Sequence, residues 1–140
     1  MRNNRRRGAA AVEFALTAPL LLLILSAVLD YGWYLSRLTS VLQAVREGTR
    51  IGSRTDQASG PEAAAVAATE ATLTTLGVPC ETVTCDVTAT MGVLADMDTI
   101  TVEAEVEFLP LMGIVPTPPT VKSHMLMAME DQPSWLGTEG

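Results

Sequence analysis

At 140 residues the chain has room for one modest domain plus appendages. Its formal charge of −7 is unevenly placed, with Arg2, Arg5, Arg6 and Arg7 ahead of Gly8 and all sixteen acidic residues behind it. An acidic body with a small basic tip excludes a nucleic-acid binder, because phosphate contacts need a basic surface; two each of Trp, Tyr and Phe leave little large apolar surface for a self-sufficient core.

Residues 9–29 are apolar or small apart from Glu13. As a helix they span about 31 Å, which matches the roughly 30 Å hydrocarbon core of a bilayer. The arginines ahead of the run hold the N-terminus in the cytoplasm, so the C-terminal body is exported. A removable signal peptide needs small residues at −3 and −1 of its cleavage site. Cutting after Ala27 puts Leu25 at −3, and cutting after Ser26 puts Ile24 there. Neither site suits a signal peptidase, so two other fates are favoured over that one: a permanent anchor, or a leader cut ahead of the apolar run.

Glu13 bears on that choice. A charge inside a spanning helix is unfavourable by about 2.5–3.5 kcal/mol at the centre. Near the end of the span Glu13 snorkels toward the interface at lower cost, which suits a plain anchor. If the chain is cut after Gly8, however, Ala9 becomes the first residue and Glu13 the fifth. The new α-amino group is cationic at neutral pH and lies about one helical turn from the carboxylate. At about 4 Å and an effective dielectric near 20, their attraction is about 4 kcal/mol before desolvation. The pairing favours neighbouring subunits at one axial offset.

The ordered set of a basic leader, Gly8, Ala9-Ala10-Ala11-Val12-Glu13-Phe14 and a leucine-rich run resembles the TadE-like family of pilin-like proteins. The likeness continues through Pro19, Asp30-Tyr31-Gly32 and Ala44-Val45-Arg46-Glu47-Gly48, covering roughly residues 5–54. The resemblance implies a role in tight-adherence (Flp-type) pilus assembly and cleavage between Gly8 and Ala9 by a prepilin peptidase. It also implies that Glu13 guides assembly with other pilins and platform proteins at the bacterial inner membrane. Major pilins of that type usually carry tyrosine after the glutamate and are shorter. Phe14 and the longer chain fit a minor pilin or pseudopilin that primes, caps or supports the pilus. The other reading is an uncleaved single-pass protein whose exported domain binds envelope proteins.

Past the membrane, Tyr31, Tyr34, Leu35, Leu38, Val41, Leu42, Val45 and Ile51 recur at three-and-four spacing, the mark of an amphipathic helix. With no breaker after Leu29, one helix is expected from about Ala9 to Ser53, bent or loosened at Pro19. The stripe reads first as ordinary core packing and second as a partner groove. Gly32 and Gly48 are either weak points or places where another backbone comes close.

Ser59-Gly60-Pro61-Glu62 has the pattern of a capping box with proline in the first turn, opening an alanine-rich helix over 60–76. Gly77-Val78-Pro79 supplies its end. Its thin apolar face suggests close docking through alanines. The period then changes to two. Val83, Cys85, Val87, Ala89 and Met91 alternate with polar residues, as do Ile100, Val102, Ala104, Val106 and Phe108, with a turn expected over Gly92–Asp98. A third strand, Val121–Met129, follows a proline-rich loop over 109–119 and alternates less cleanly, with Val121, Ser123, Met125, Met127 and Met129 on one side; its methionines read first as core filling and second as a partner contact.

The expected fold is therefore α+β and pilin-like. A basic leader (1–8) precedes a transmembrane helix (9–29) that continues into an exported helix (30–54). A small head (55–130) with a short helix and about three antiparallel strands follows, then a flexible tail (131–140).

Other candidate sites are sparse. Cys80 and Cys85 lie on the exported side, where disulfides persist; a bridge between them would close a short loop. Alternation turns Cys85 inward and leaves Cys80 in the turn, so two free thiols are the other option. Glu103, Glu105 and Glu107 form an acidic ladder without the Asp-x-Asp-x-Asp-Gly spacing of a calcium loop, and read as a solvated strand face. His124 is the only histidine, which gives no triad or zinc set. Nothing points to a cofactor, a small-molecule substrate or an enzyme. Arg2–Arg7 set orientation and can touch anionic lipid, leaving the lipid bilayer and other pilus proteins as the expected partners.

Overall fold

The computed structural model describes residues 3–130, so Met1, Arg2 and the expected tail over 131–140 lie outside the described residues. The first helix, α1, runs over Asn3–Arg54. It starts six residues before the expected Ala9, since Asn3 to Arg7 contain no breaker and arginine is a good helix former. Pro19 stays inside the helix without interrupting it. Its ring nitrogen cannot donate to the previous turn. Just ahead of it the Thr17 hydroxyl folds back onto the Glu13 carbonyl at 3.0 Å and the Phe14 carbonyl at 3.3 Å.

The chain forms two compact units. One comprises the helix up to Leu35 with the loop Leu109–Thr117; the other comprises Ser36–Phe108 and, among the described residues, 118–130.

In the first unit the helix surface is apolar and outward-facing, from Val12 and Phe14 through Leu29. Ser26 and Asp30, one turn apart on the same face, are the buried exceptions.

In the second unit, α1 turns a stripe of small residues inward. Val41, Ala44, Val45, Gly48, Thr49, Gly52 and Ser53 are buried at three-and-four spacing. The stripe differs from the expected one: Leu35 is 57% exposed, and glycine, threonine and serine take the inner positions. The reason is the neighbour. The second helix, α2 (Pro61–Thr75), presents Pro61, Ala65, Thr69 and Leu73 at four-residue spacing. A Cβ on Gly48 would overlap Thr69 Oγ1 and sit 2.8 Å from the Ala65 carbonyl oxygen. A Cβ on Gly52 would sit 2.9 Å from Ala65 Cβ and 2.6 Å from Ile100 Cδ1. The helices therefore meet at backbone distance, and the close docking expected of the alanines is real. Gly32, by contrast, faces open space.

The expected capping box at Ser59 does not form. Ser59 closes a 3-10 turn (Gln57–Ser59) whose cap is Asp56, accepting from the Ala58 N–H. Gly60, at φ 74°, takes the cap position of α2 without a side-chain bond. Glu62 is drawn away to accept the Met91 N–H at 2.9 Å. At its other end α2 stops as expected. Gly77 adopts φ 76°, the Val78 N–H reaches the Leu73 carbonyl, and the Gly77 N–H reaches Thr74. Buried Val78 and Leu73 add the apolar contact of that stop motif.

Three strands follow: β1 (Cys85–Leu94), β2 (Met97–Glu107) and β3 (Thr120–Ala128), antiparallel in the order β1-β2-β3. β1 starts later than its alternation suggests, because residues 79–83 curl into turns. The expected turn over Gly92–Asp98 is mostly strand. Leu94 pairs with Met97 across only Ala95 and Asp96, at φ 51° and 63°, a type I′ geometry matched to strand twist. Ile100, Val102, Ala104, Val106, Phe108 and Val121 are buried. Complete burial contributes about 1.5–3 kcal/mol for each large aliphatic side chain.

Candidate functional site

The residues expected to carry function lie at the start of α1. From Ala10 the helix contains a window of mean hydropathy 2.3, with almost none of it covered by the protein. Phe14 is 72% and Leu16 74% exposed, and Leu20 to Leu25 are exposed in an unbroken row. A helix apolar on every side is stable in lipid and not in water. This one is long and apolar enough for a single-pass membrane anchor.

Glu13 sits in that surface, exposed, with Phe14 beside it. Gly8 and Ala9 belong to the same helix, and residues 9 and 13 of an α-helix are one turn apart. The four positions thus share one rigid element. A carboxylate exposed in an apolar helix surface can pair with a cation at a fixed axial level.

The cysteines belong to the second unit. Cys80 and Cys85 are joined in a disulfide with their Cα atoms 5.3 Å apart, tying the turn after α2 to the first residue of β1. The acidic strand face is partly paired. Lys122 Nζ lies 2.7 Å from Glu105 Oε2, directly across the β2–β3 ladder, and the Thr84 hydroxyl donates to Glu107. The hydrogen bond from Lys122 holds the Glu105 carboxyl below the usual carboxylate range, against partial desolvation. Arg50 does the same for Glu47 on α1 through a two-pronged bond at 3.0 and 2.6 Å. Glu103 stands opposite His124. Among the described residues, no group of three or more His, Cys, Asp or Glu side chains is placed to hold a metal ion.

One arrangement escaped the sequence. Asp30, completely buried, accepts the Met112 N–H on Oδ1 at 2.8 Å and the Gly113 N–H on Oδ2 at 3.1 Å. The Tyr31 hydroxyl donates to the Pro116 carbonyl at 3.2 Å. A carboxylate just past an apolar run hints at a fixed partner, but the partners lie more than eighty residues away and are main-chain groups, which leave no trace in side-chain pattern.

Comparison with known proteins bears on the first of these elements. The family described as TadE-like protein matches residues 8–50, opening on Gly8 and taking in Glu13, the apolar run and the small-residue stripe as far as Thr49. No curated protein and no solved structure matches the chain. That family is structural rather than enzymatic, and its role lies in assembly of tight-adherence pili. Residues 8–50 are thus a TadE-like region.

Proposed function

We propose that the chain is a minor pilin or pseudopilin of a tight-adherence pilus or a related secretion system. In this reading it enters the inner membrane with its head outside, and a prepilin peptidase trims it between Gly8 and Ala9. It then packs through α1 beside other pilins and platform proteins to prime, cap or support the filament. The observation that carries the reading is the placement of Glu13. It is an exposed carboxylate in an otherwise apolar helix surface, one turn from the bond whose cleavage creates an amine. Left alone in lipid, that charge is unfavourable. Paired with the Ala9 ammonium of a neighbouring rod, it offsets its own desolvation at one stagger only. Gly8 supports the cut, since glycine is about 1 kcal/mol poorer than alanine in a helix and is where the helix opens most readily for a protease.

Intact mass of the protein extracted from membranes tests this. Maturation predicts loss of residues 1–8 and an amino terminus at Ala9, and Gly8→Leu should retain the leader. A full-length mass in wild-type cells, or unaltered trimming of Gly8→Leu, leaves the uncleaved anchor with a protein-binding head as the better reading.

A further inference from the structure

The loop between β2 and β3 has no charged residue from Leu109 to Pro119 and contains four prolines. It does not fold its apolar side chains away. Leu109, Leu111, Met112 and Ile114 are each between 52% and 63% exposed, comparable to the leucines of the membrane-spanning run. The segment Leu109–Thr117 forms one compact unit with the helix up to Leu35. Its main chain is fixed by the Asp30 carboxylate and the Tyr31 hydroxyl at the end of the apolar run. Gly113, at φ 64°, makes the reversal that lets two successive N–H groups point at one carboxylate.

We infer that this loop is a second membrane-contacting element. It is a wedge whose apolar side chains enter the lipid leaflet nearer the C-terminal end of the span, beside the helix. Continuity commits it to lipid. The loop is bonded to Asp30 and Tyr31, directly after the exposed Leu25 and Leu29 of the apolar run, at a level where Tyr31, Trp33 and Tyr34 place the aromatic belt of a membrane boundary. Main-chain polarity sets the depth. Irregular backbone is not tolerated bare in hydrocarbon; in this loop Asp30 takes two N–H groups, Tyr31 and the Phe108 N–H each reach a carbonyl, and the four prolines have no N–H to satisfy. The loop therefore lies at the boundary between headgroups and acyl chains, where apolar side chains reach inward and carbonyls meet water. Asp30 acts as the clamp, its two charge-assisted hydrogen bonds fixing the wedge to the helix. The inference rests on the helix spanning a membrane and not on cleavage at Gly8.

A fluorescent amino acid such as dansylalanine, placed at position 114 of the full chain, tests it. The protein is reconstituted at high dilution into phosphatidylethanolamine/phosphatidylglycerol vesicles with brominated acyl chains. A second preparation carries the probe at position 22. The expected result is quenching at 114 to at least half the extent seen at 22, with at least a twofold loss at 114 alone in Asp30→Ala. Quenching at 22 with none at 114 overturns the wedge. Full quenching at 114 in Asp30→Ala overturns the clamp. No quenching at 22 removes the spanning helix on which the proposal stands, a result the mass measurement of leader cleavage does not mimic.

Discussion

Along α1, residues 10–29 carry large apolar side chains that point outward, with Leu20 to Leu25 all exposed. Over residues 41–53 of the same helix the inward stripe is Val41, Ala44, Val45, Gly48, Thr49, Gly52 and Ser53. Both stretches are α-helical, Pro19 removing one donor from the first, and they differ in what replaces water around them. Lipid tails accept bulky side chains without a matching shape, so the first stretch needs only length and hydropathy. A protein neighbour at backbone distance demands small side chains at fixed spacing, so the second needs a particular residue at each inner position. One helix thus has a part tolerant of apolar exchange and a part that is not.

The contrast is broken most severely at Gly48. Leucine there meets Thr69 and the Ala65 carbonyl, a main-chain atom that cannot step aside, so the head should lose about 3 kcal/mol or more. Denaturant melts of the detergent-solubilised chain should show the loss, while membrane extraction profiles stay unchanged. A stable head would mean that α2 does not dock as described. The reciprocal change, Leu22→Lys, should raise the insertion free energy by about 3–4 kcal/mol. It should shift protein from the membrane to the soluble fraction without altering head stability; unaffected insertion would contradict the spanning role of this stretch. Reducing the Cys80–Cys85 bridge acts on neither helix face. It closes a short loop, so the chain-entropy gain is about 2 kcal/mol, readable as a lower urea midpoint in dithiothreitol, and an unchanged midpoint would show that the bridge adds nothing.

The smallest effect concerns pH. Glu105 has its carboxyl held low by Lys122, so the stability it adds is present above the ordinary carboxylate pKa of about 4.3 and fades as pH falls through the depressed value. Lys122→Met should raise the Glu105 titration midpoint, followed by carboxyl carbon NMR. An unmoved midpoint would mean that the ion pair is not populated in solution.

Much of this was legible because the physics is local. Alternation of Ile100, Val102, Ala104, Val106 and Phe108 directly reflects two faces in different surroundings, and all five are buried. Gly77 stops α2 because its left-handed φ is available without cost. What stayed hidden depends on partners distant in sequence. Ser59 and Glu62 have the spacing of a cap, yet a 3-10 turn takes the serine and the Met91 N–H takes the glutamate. Ala95-Asp96 lacks the Asn-Gly signature of a tight hairpin, and the strands on both sides impose the turn. Hydropathy finds Val41 and Val45 of the buried stripe but also favours Leu35 and Tyr31, whereas close helix packing selects Gly48 and Gly52. In the candidate site, Gly8, Ala9, Glu13 and Phe14 are consecutive turns of one helix and could be read together. Asp30 needed the fold to show its partners.

The most direct test of charge pairing as the basis of assembly is the subunit content of purified filaments from cells expressing Glu13→Gln. Pairing with the Ala9 amine predicts a variant that reaches the membrane and loses its leader but is depleted from filaments or lowers their yield. Trimmed Glu13→Gln protein present in filaments at the wild-type level, with normal yield, would contradict it.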